Sequence, residues 1–342
     1  MILYITLSCF LPNLVFGFPI YSIANIKVVT PSYIQPSVGS SLDGNIFNSR
    51  FADGWDDRSA RLLAEEGIVC LVGENNRDGV IPKSICERAS NEINKRVSLL
   101  KEKIECRGVD SRGVNAPFRF MEIVSRDEGG NRFDVTVPWK GEGDSIGTEL
   151  TPECKKAIFD LHSSIDTVVE NAISKLWPNS MFGVISSGFL VNEPGSQSQN
   201  FHRDGPDEGF LDVFVPISVD LRKEHGPTAC IPRSHTSDCD ELDTAIEPLM
   251  KKGEILMFDY RYVCGLSGRV LETIRRVQVG SIPKYLFHRQ FFLLCYRLLH
   301  RGQGNTSDST RTLAYVVYQK GATTSKHGDL RNFPSALTLE YD

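Results

Sequence analysis

The run Gln199-Asn200-Phe201-His202-Arg203-Asp204-Gly205 holds one imidazole and one carboxylate two residues apart. On a strand, residues at that spacing share a face, so His202 and Asp204 can both point into a barrel. An imidazole and a carboxylate are two legs of the 2-His-1-carboxylate triad, which leaves open positions on Fe(II) for a co-substrate and oxygen. The tripeptide alone is a weak signal, because most such matches are surface or turn residues.

The third leg must come from a distant strand. His225 sits beside Gly226-Pro227 in an expected turn, His235 follows a strand, His162 lies on a helix and His327 stands near a polar tail. His300 differs, because Leu298-Leu299-His300 enters a loop that leads to Arg311 on the next strand. A guanidinium there can grip a carboxylate with two parallel hydrogen bonds, which an ammonium cannot reproduce. The far end of 2-oxoglutarate needs that grip while its keto-acid end chelates iron. Read singly, Arg311 is better explained as a solvated strand residue in a salt bridge.

Together these residues resemble the phytanoyl-CoA dioxygenase family of Fe(II)/2-oxoglutarate oxygenases. The matching stretches are Pro194-Gly195 with Gln199 to Gly205, Val213-Phe214-Val215-Pro216, and Gly226-Pro227-Thr228 with Pro232-Arg233-Ser234-His235-Thr236. Lys252-Gly253-Glu254 and His300-Arg301-Gly302 with Asn305, Ser307 and Arg311 complete the series. The resemblance covers residues 56–330 and is strongest from 183 onward. It implies a double-stranded β-helix in which His202, Asp204 and His300 hold iron and Arg311 binds the co-substrate carboxylate. It also implies ascorbate as an optional reductant. Related halogenases vacate the carboxylate position, so the presence of Asp204 implies hydroxylation. Arg233 departs from the pattern, which has glycine there.

The elements that must position these groups are legible in the periodicity. Residues 56–66 form a short helix ending at Gly67, and 68–72 a buried strand. Pro82 opens a helix whose Ile85, Ala89, Ile93, Val97, Leu100 and Ile104 recur at three- and four-residue steps. Residues 119–124 and 132–137 flank Gly129-Gly130-Asn131 as a hairpin, and Pro152 starts a helix that closes at Pro178. From 183 the pattern turns to short strands: 183–191, 200–204, 211–219, 228–231, 254–260 and 312–318. Helices followed by evenly spaced short strands predict an α+β chain. The pattern predicts a barrel or jelly-roll core, which the resemblance implies is a cupin-like double-stranded β-helix, with helical part 56–180, barrel 181–325 and N-terminal helices packed around it.

A formal charge of −5 over 342 residues gives no reason to bind nucleic acid. Residues 1–22 carry no charge, but their apolar run is short for a bilayer span and contains Pro12 and Asn13. A signal peptide over 1–17 fits better, although Lys27 is the first positive residue. It would direct the chain to the secretory pathway or a plastid; without it the chain is cytoplasmic. Residues 18–55 read as a linker and 331–342 as a tail. The cysteines show no CxxC spacing and read as ordinary thiols. The one sequon, Asn305-Thr306-Ser307, falls in the proposed site, so a glycan there would block it.

One stretch has a foreign composition. Residues 262–297 hold Arg269, Arg275, Arg276, Lys284, Arg289 and Arg297 against Glu272 alone, a charge of +5 that leaves −10 for the rest. Tyr260-Arg261 recurs as Tyr296-Arg297, and Arg261-Tyr262-Val263 can be written as a splice-donor sequence. Residues 291–297 can be written as a pyrimidine-rich tract ending in AG. A translated intron is the expected origin, against a substrate-binding insertion or a basic interaction arm. Two functions therefore stand against each other: a hydroxylase of a small organic or lipid-derived substrate, and a non-catalytic barrel that binds one.

Overall fold

The computed structural model describes residues 48–50, 54–73, 79–108, 118–126, 131–142, 149–203, 209–235, 245–259, 298–322 and 337–338. All belong to the unit Ser41–Asp342. The expected leader 1–17, the insertion 262–297 and Asp204 lie outside the described residues.

Strand alternation sorts the side chains into two layers of core. β7 (Phe210–Pro216) sends Leu211, Val213 and Val215 to one face and Phe210 and Phe214 to the other. β11 (Arg311–Lys320) divides Ala314, Val316 and Tyr318 from Leu313, Tyr315 and Val317 in the same way. The outer layer meets three helices: α1 (Trp55–Glu66), α2 (Lys83–Glu105) and α3 (Pro152–Leu176). Pro152 sits at the first turn of α3, and the Thr151 hydroxyl caps it by accepting from Cys154 N–H at 3.2 Å. Ile93, Val97 and Leu100 on α2, with Ile158, Leu161 and Ile165 on α3, are fully or nearly fully buried in that layer.

The large sheet also contains β1 (Asn48–Arg50), β2 (Ile68–Val72), β3 (Phe118–Phe120), β4 (Ile123–Ser125) and β5 (Arg132–Thr136). β6 (Phe182–Asn192), β9 (Ile255–Asp259) and β12 (Leu337–Thr338) complete it. Its order is β1-β2-β9-β7-β11-β6-β5-β4-β3-β12. A smaller sheet pairs β8 (Thr228–Ile231) with β10 (Leu299–Gly302) in antiparallel register. Single bridges widen it on both sides, Ile246 on Cys230 and His202 on His300. The second apolar cluster includes residues of both sheets, among them Phe214, Phe258, Leu313 and Tyr315 from the large one and Cys230 from the small one. This is an α+β jelly-roll core with helices against its outer face.

Several elements differ from the sequence reading. The strand expected over 119–124 is broken into β3 and β4 at Met121, whose φ of 53° turns the chain back into an antiparallel pair. Of the strand expected over 200–204, the described residues 200–203 contribute one bridge residue, His202. Strand pairing also enters segments read as linker and tail. β1 runs parallel to β2, and β12 runs parallel to β3. Neither is long enough to show a period-2 pattern. The described cysteines Cys70, Cys86, Cys106, Cys154 and Cys230 are unbridged. Among the described residues no helix is long and apolar enough to cross a membrane.

Candidate metal centre and anion site

His202 and His300 exchange both backbone hydrogen bonds, at 2.9 and 3.0 Å. Residues opposed in this way present their side chains on one face. Their ring centroids lie 4.7 Å apart at an interplanar angle of 50°. On the other side of His300, in the same row, stands Cys230, a member of the inner cluster. The two imidazoles therefore face the interior, and Phe258 packs 4.9 Å from the His300 ring.

Each ring is oriented by its own chain. His202 Nδ1 lies 2.9 Å from the Asn200 carbonyl, and His300 Nδ1 lies 3.1 Å from the Leu298 carbonyl. A carbonyl only accepts, so each Nδ1 donates and the lone pair is carried by Nε2. Metal-ligating histidines are held in that tautomer by the same kind of bond. The donor set fits a divalent transition metal taking Nε2 from both residues. Asp204, the third leg named by the sequence, lies outside the described residues, and among those no three His, Cys, Asp or Glu side chains converge.

The other described histidines, His162, His225 and His235, are used elsewhere. His235 packs its ring against Gly67, and its Nε2 is 3.3 Å from the Ala64 carbonyl at the end of α1. Gly67, at φ 76°, leaves no room there for a Cβ. His225 accepts from Arg222 N–H through Nδ1 at 3.1 Å, and its Nε2 faces Ser309 Oγ at 3.3 Å. His162 is fully buried, stacks on Trp139 at 4.7 Å and accepts from Lys140 N–H at 3.0 Å. Burial, with the Lys140 charge, pushes its pKa down to about 3.

Arg311 opens β11 and is 2% exposed. One Nη donates to the Gly226 carbonyl, and its Nε finds no hydrogen-bond partner among the described residues. No carboxylate among the described residues pairs with it. Burial, and then the charge of Arg132, pushes the guanidinium down to about 9. It stays protonated at neutral pH, a buried cation with no anion paired to it among the described residues. Gly226 makes its carbonyl available by adopting φ 69° against the backbone of Gln303 and Gly304, where a Cβ would collide.

Asn305 explains the spacing between His300 and Arg311. It is fully buried, and its Nδ2 donates to the carbonyls of Asn192 and Ser309 at 2.9 and 2.8 Å. Its Oδ1 accepts from Ser307 N–H and Oγ at 3.1 and 2.7 Å. The amide is wholly spent on shaping the loop, which is incompatible with a glycan at this sequon.

Two features of the inner face have no counterpart in the sequence reading. Asp134 accepts from Tyr315 hydroxyl at 2.9 Å and from Arg126 at 2.6 Å. Arg132, 3% exposed, donates to the carbonyls of Gly302 and Gln303, just beyond His300. The signal available was polar residues alternating with Phe133 and Val135 on β5. Its meaning depends on register against β6, which no local pattern encodes.

The sequence matches none of the known protein-family models and none of the curated proteins. Among solved structures, AviO1 from Streptomyces viridochromogenes Tue57 superposes with a TM-score of 0.46 at 13% identity, over 79% of this chain and 97% of that one. SnoN, a non-heme alpha-ketoglutarate-dependent epimerase from nogalamycin biosynthesis, gives 0.43 at 13% identity, over 77% and 82%. ThoJ, a non-heme monooxygenase in a nickel complex, gives 0.42 at 13% identity, over 83% and 88%. The residues of this chain therefore carry its function.

Proposed function

We propose that this protein is a non-haem Fe(II)- and 2-oxoglutarate-dependent dioxygenase of the phytanoyl-CoA dioxygenase type, hydroxylating a small organic or lipid-derived substrate. The observation that carries the reading is the His202–His300 pair, two imidazoles on one face of paired backbone segments with Nδ1 donating to backbone. Asp204 would supply the carboxylate leg. When bound, Fe(II) with 2-oxoglutarate supplies oxygen activation for hydroxylation.

The chain's own residues would hold and shield that chemistry. The mutual backbone bonds of His202 and His300 would fix where the two side chains leave the backbone, and each Nδ1 bond to a carbonyl two residues earlier would hold its ring against swinging. Arg311 would bind the distal carboxylate of 2-oxoglutarate with the donors that its Gly226 contact leaves over. Phe258 packs against the His300 ring, and Phe214, Leu298 and Leu313 belong to the same apolar cluster, which would limit water on that side of the site. Their apolar character favours a substrate with a hydrocarbon body.

The test is release of succinate and CO2 from 2-oxoglutarate by the purified chain, with and without Fe(II). Iron-dependent release that His202→Ala or His300→Ala abolishes is expected. Tight ligand binding with no iron-dependent decarboxylation would instead identify a non-catalytic barrel.

A further inference from the structure

β11, β6 and β5 are consecutive in the large sheet, and one row across them carries three polar side chains. Arg311 stands opposite Asn192, and Asn192 stands opposite Arg132. Residues directly opposed share a face with Cβ atoms roughly 4.5–5.5 Å apart, so the three form a contiguous strip. All are nearly inaccessible, at 2%, 0% and 3% exposure.

The two guanidinium groups are anchored on segments that touch. Arg311 donates to Gly226 O and Arg132 to Gln303 O at 2.7 Å, while Gln303 N–H donates to Pro227 O at 3.2 Å. Between the arginines, the Asn192 side chain has no hydrogen-bond partner among the described residues at either Nδ2 or Oδ1. A fully buried amide with both ends unmet is costly unless a ligand meets it. Asp134, the next inward residue on β5, already accepts from Arg126 and Tyr315. Two buried cations flanking an unmet amide make a site for an anion.

We infer that Arg132, Asn192 and Arg311 form one carboxylate-binding row, in which Arg132 and Asn192 add to Arg311 the selection of a dicarboxylate. This rests on the reading of Arg311 as the co-substrate residue. Arg311 supplies the two-bond contact and Asn192 Nδ2 a neutral donor. Arg132 supplies a second positive charge while tying the loop that follows His300 to β5. Loading the anion thus relieves the repulsion between the arginines next to the strand that carries the distal imidazole.

The experiment is calorimetric titration of the full chain loaded with Ni(II), using 2-oxoglutarate and 2-oxobutyrate. The two share the keto-acid head and differ in the distal carboxylate, so the ratio of their affinities isolates the row. Arg132→Gln keeps an amide for the loop carbonyls but removes the charge; the ratio should fall by about tenfold or more. Asn192→Leu should lower it by roughly threefold to tenfold, and Arg132→Lys should restore most of it. An unchanged ratio in Arg132→Gln, or equal weakening of both acids, overturns the inference and leaves Arg132 a loop tie. If Arg132→Gln does not fold, Asn192→Leu decides, and an unchanged ratio there overturns it. A wild-type ratio near one removes Arg311 from the co-substrate site, a separate failure.

Discussion

Arg233 holds a left-handed backbone with φ 64°, and Glu66 at the end of α1 fastens it there. Its Nε and Nη2 donate to the two carboxylate oxygens at 2.8 and 2.5 Å, and its N–H donates to Glu66 O at 2.8 Å. The resembled family carries glycine at this position, which suits that backbone without strain. Here the fork of bonds to Glu66 offsets the cost of the side chain.

Arg233→Gly should therefore leave stability within about 1 kcal/mol of wild type, exchanging strain relief for a half-exposed ion pair. Arg233→Ala loses the pair and keeps a left-handed strain of roughly 1–2 kcal/mol. Thermal unfolding should rank the alanine variant clearly below the glycine one. Equal midpoints would mean that the turn stores no strain.

His202→Ala, Asp204→Ala and His300→Ala should each weaken Fe(II) binding by more than about 100-fold, beyond the 10–100-fold typical of losing a supporting group. His235→Ala should leave the metal bound, since its ring is committed to the Gly67 turn. Equilibrium titration with Fe(II) under anaerobic conditions reads all four. Iron lost from the His235 variant and retained by the His300 variant would reverse the assignment.

Arg311→Lys keeps a charge but loses the planar pair of donors, so it should chiefly raise the KM for 2-oxoglutarate. The pH dependence has a definite sign. Arg311 is pushed down to about 9, so the cation is present below that pH and lost above it. Affinity for 2-oxoglutarate should weaken as pH rises through about 9. In the ligand-free protein the unfolded chain keeps its proton longer, so this residue's contribution to stability rises over the same range. A KM indifferent to both the substitution and pH 8–10 would remove Arg311 from the site.

The sequence made the helices and the distal loop readable, because each is specified locally. Gly67 and Pro152 mark ends, and the three- and four-residue steps on α2 mark a face. His300 and Arg311 stood out because a short strand, a polar loop and a second strand fall in sequence order. Asn192 and Arg132 were not readable. They lie 60 residues apart in the chain and meet only through the pairing of β5 with β6. The break at Met121 was hidden for a related reason, since nothing in its side chain announces a positive φ.

His162 should make the protein acid-sensitive. Its pKa in the folded state is about 3, below the ordinary 6.5, so the unfolded chain takes up a proton that the native site refuses. Its contribution to stability is therefore present above about 6.5 and falls as pH drops toward 3. His162→Gln should be less stable at pH 7 yet show a shallower loss of unfolding midpoint between pH 6.5 and 4. Parallel slopes would place the acid sensitivity in other groups.

Residues 262–297 connect β9, in the large sheet, with β10, in the small one. Stacked sheets lie about 10 Å apart, and a chain spans at most about 3.3–3.6 Å per residue. Joining Arg261 to Leu298 leaves three steps between Asp259 and Leu298, enough for that crossing. Loop-closure entropy grows slowly with length, so the extra residues need not unfold the barrel. Their apolar run Phe291-Phe292-Leu293-Leu294-Cys295-Tyr296 is the greater hazard, because such a stretch promotes aggregation when exposed. A chain lacking residues 262–297 should be more soluble and bind Fe(II) at least as well as the full chain. Sequenced transcripts should mostly join the codons of Tyr260-Arg261 to those of Leu298-Leu299. The idea fails if mature transcripts retain the segment and its deletion destroys both folding and metal binding.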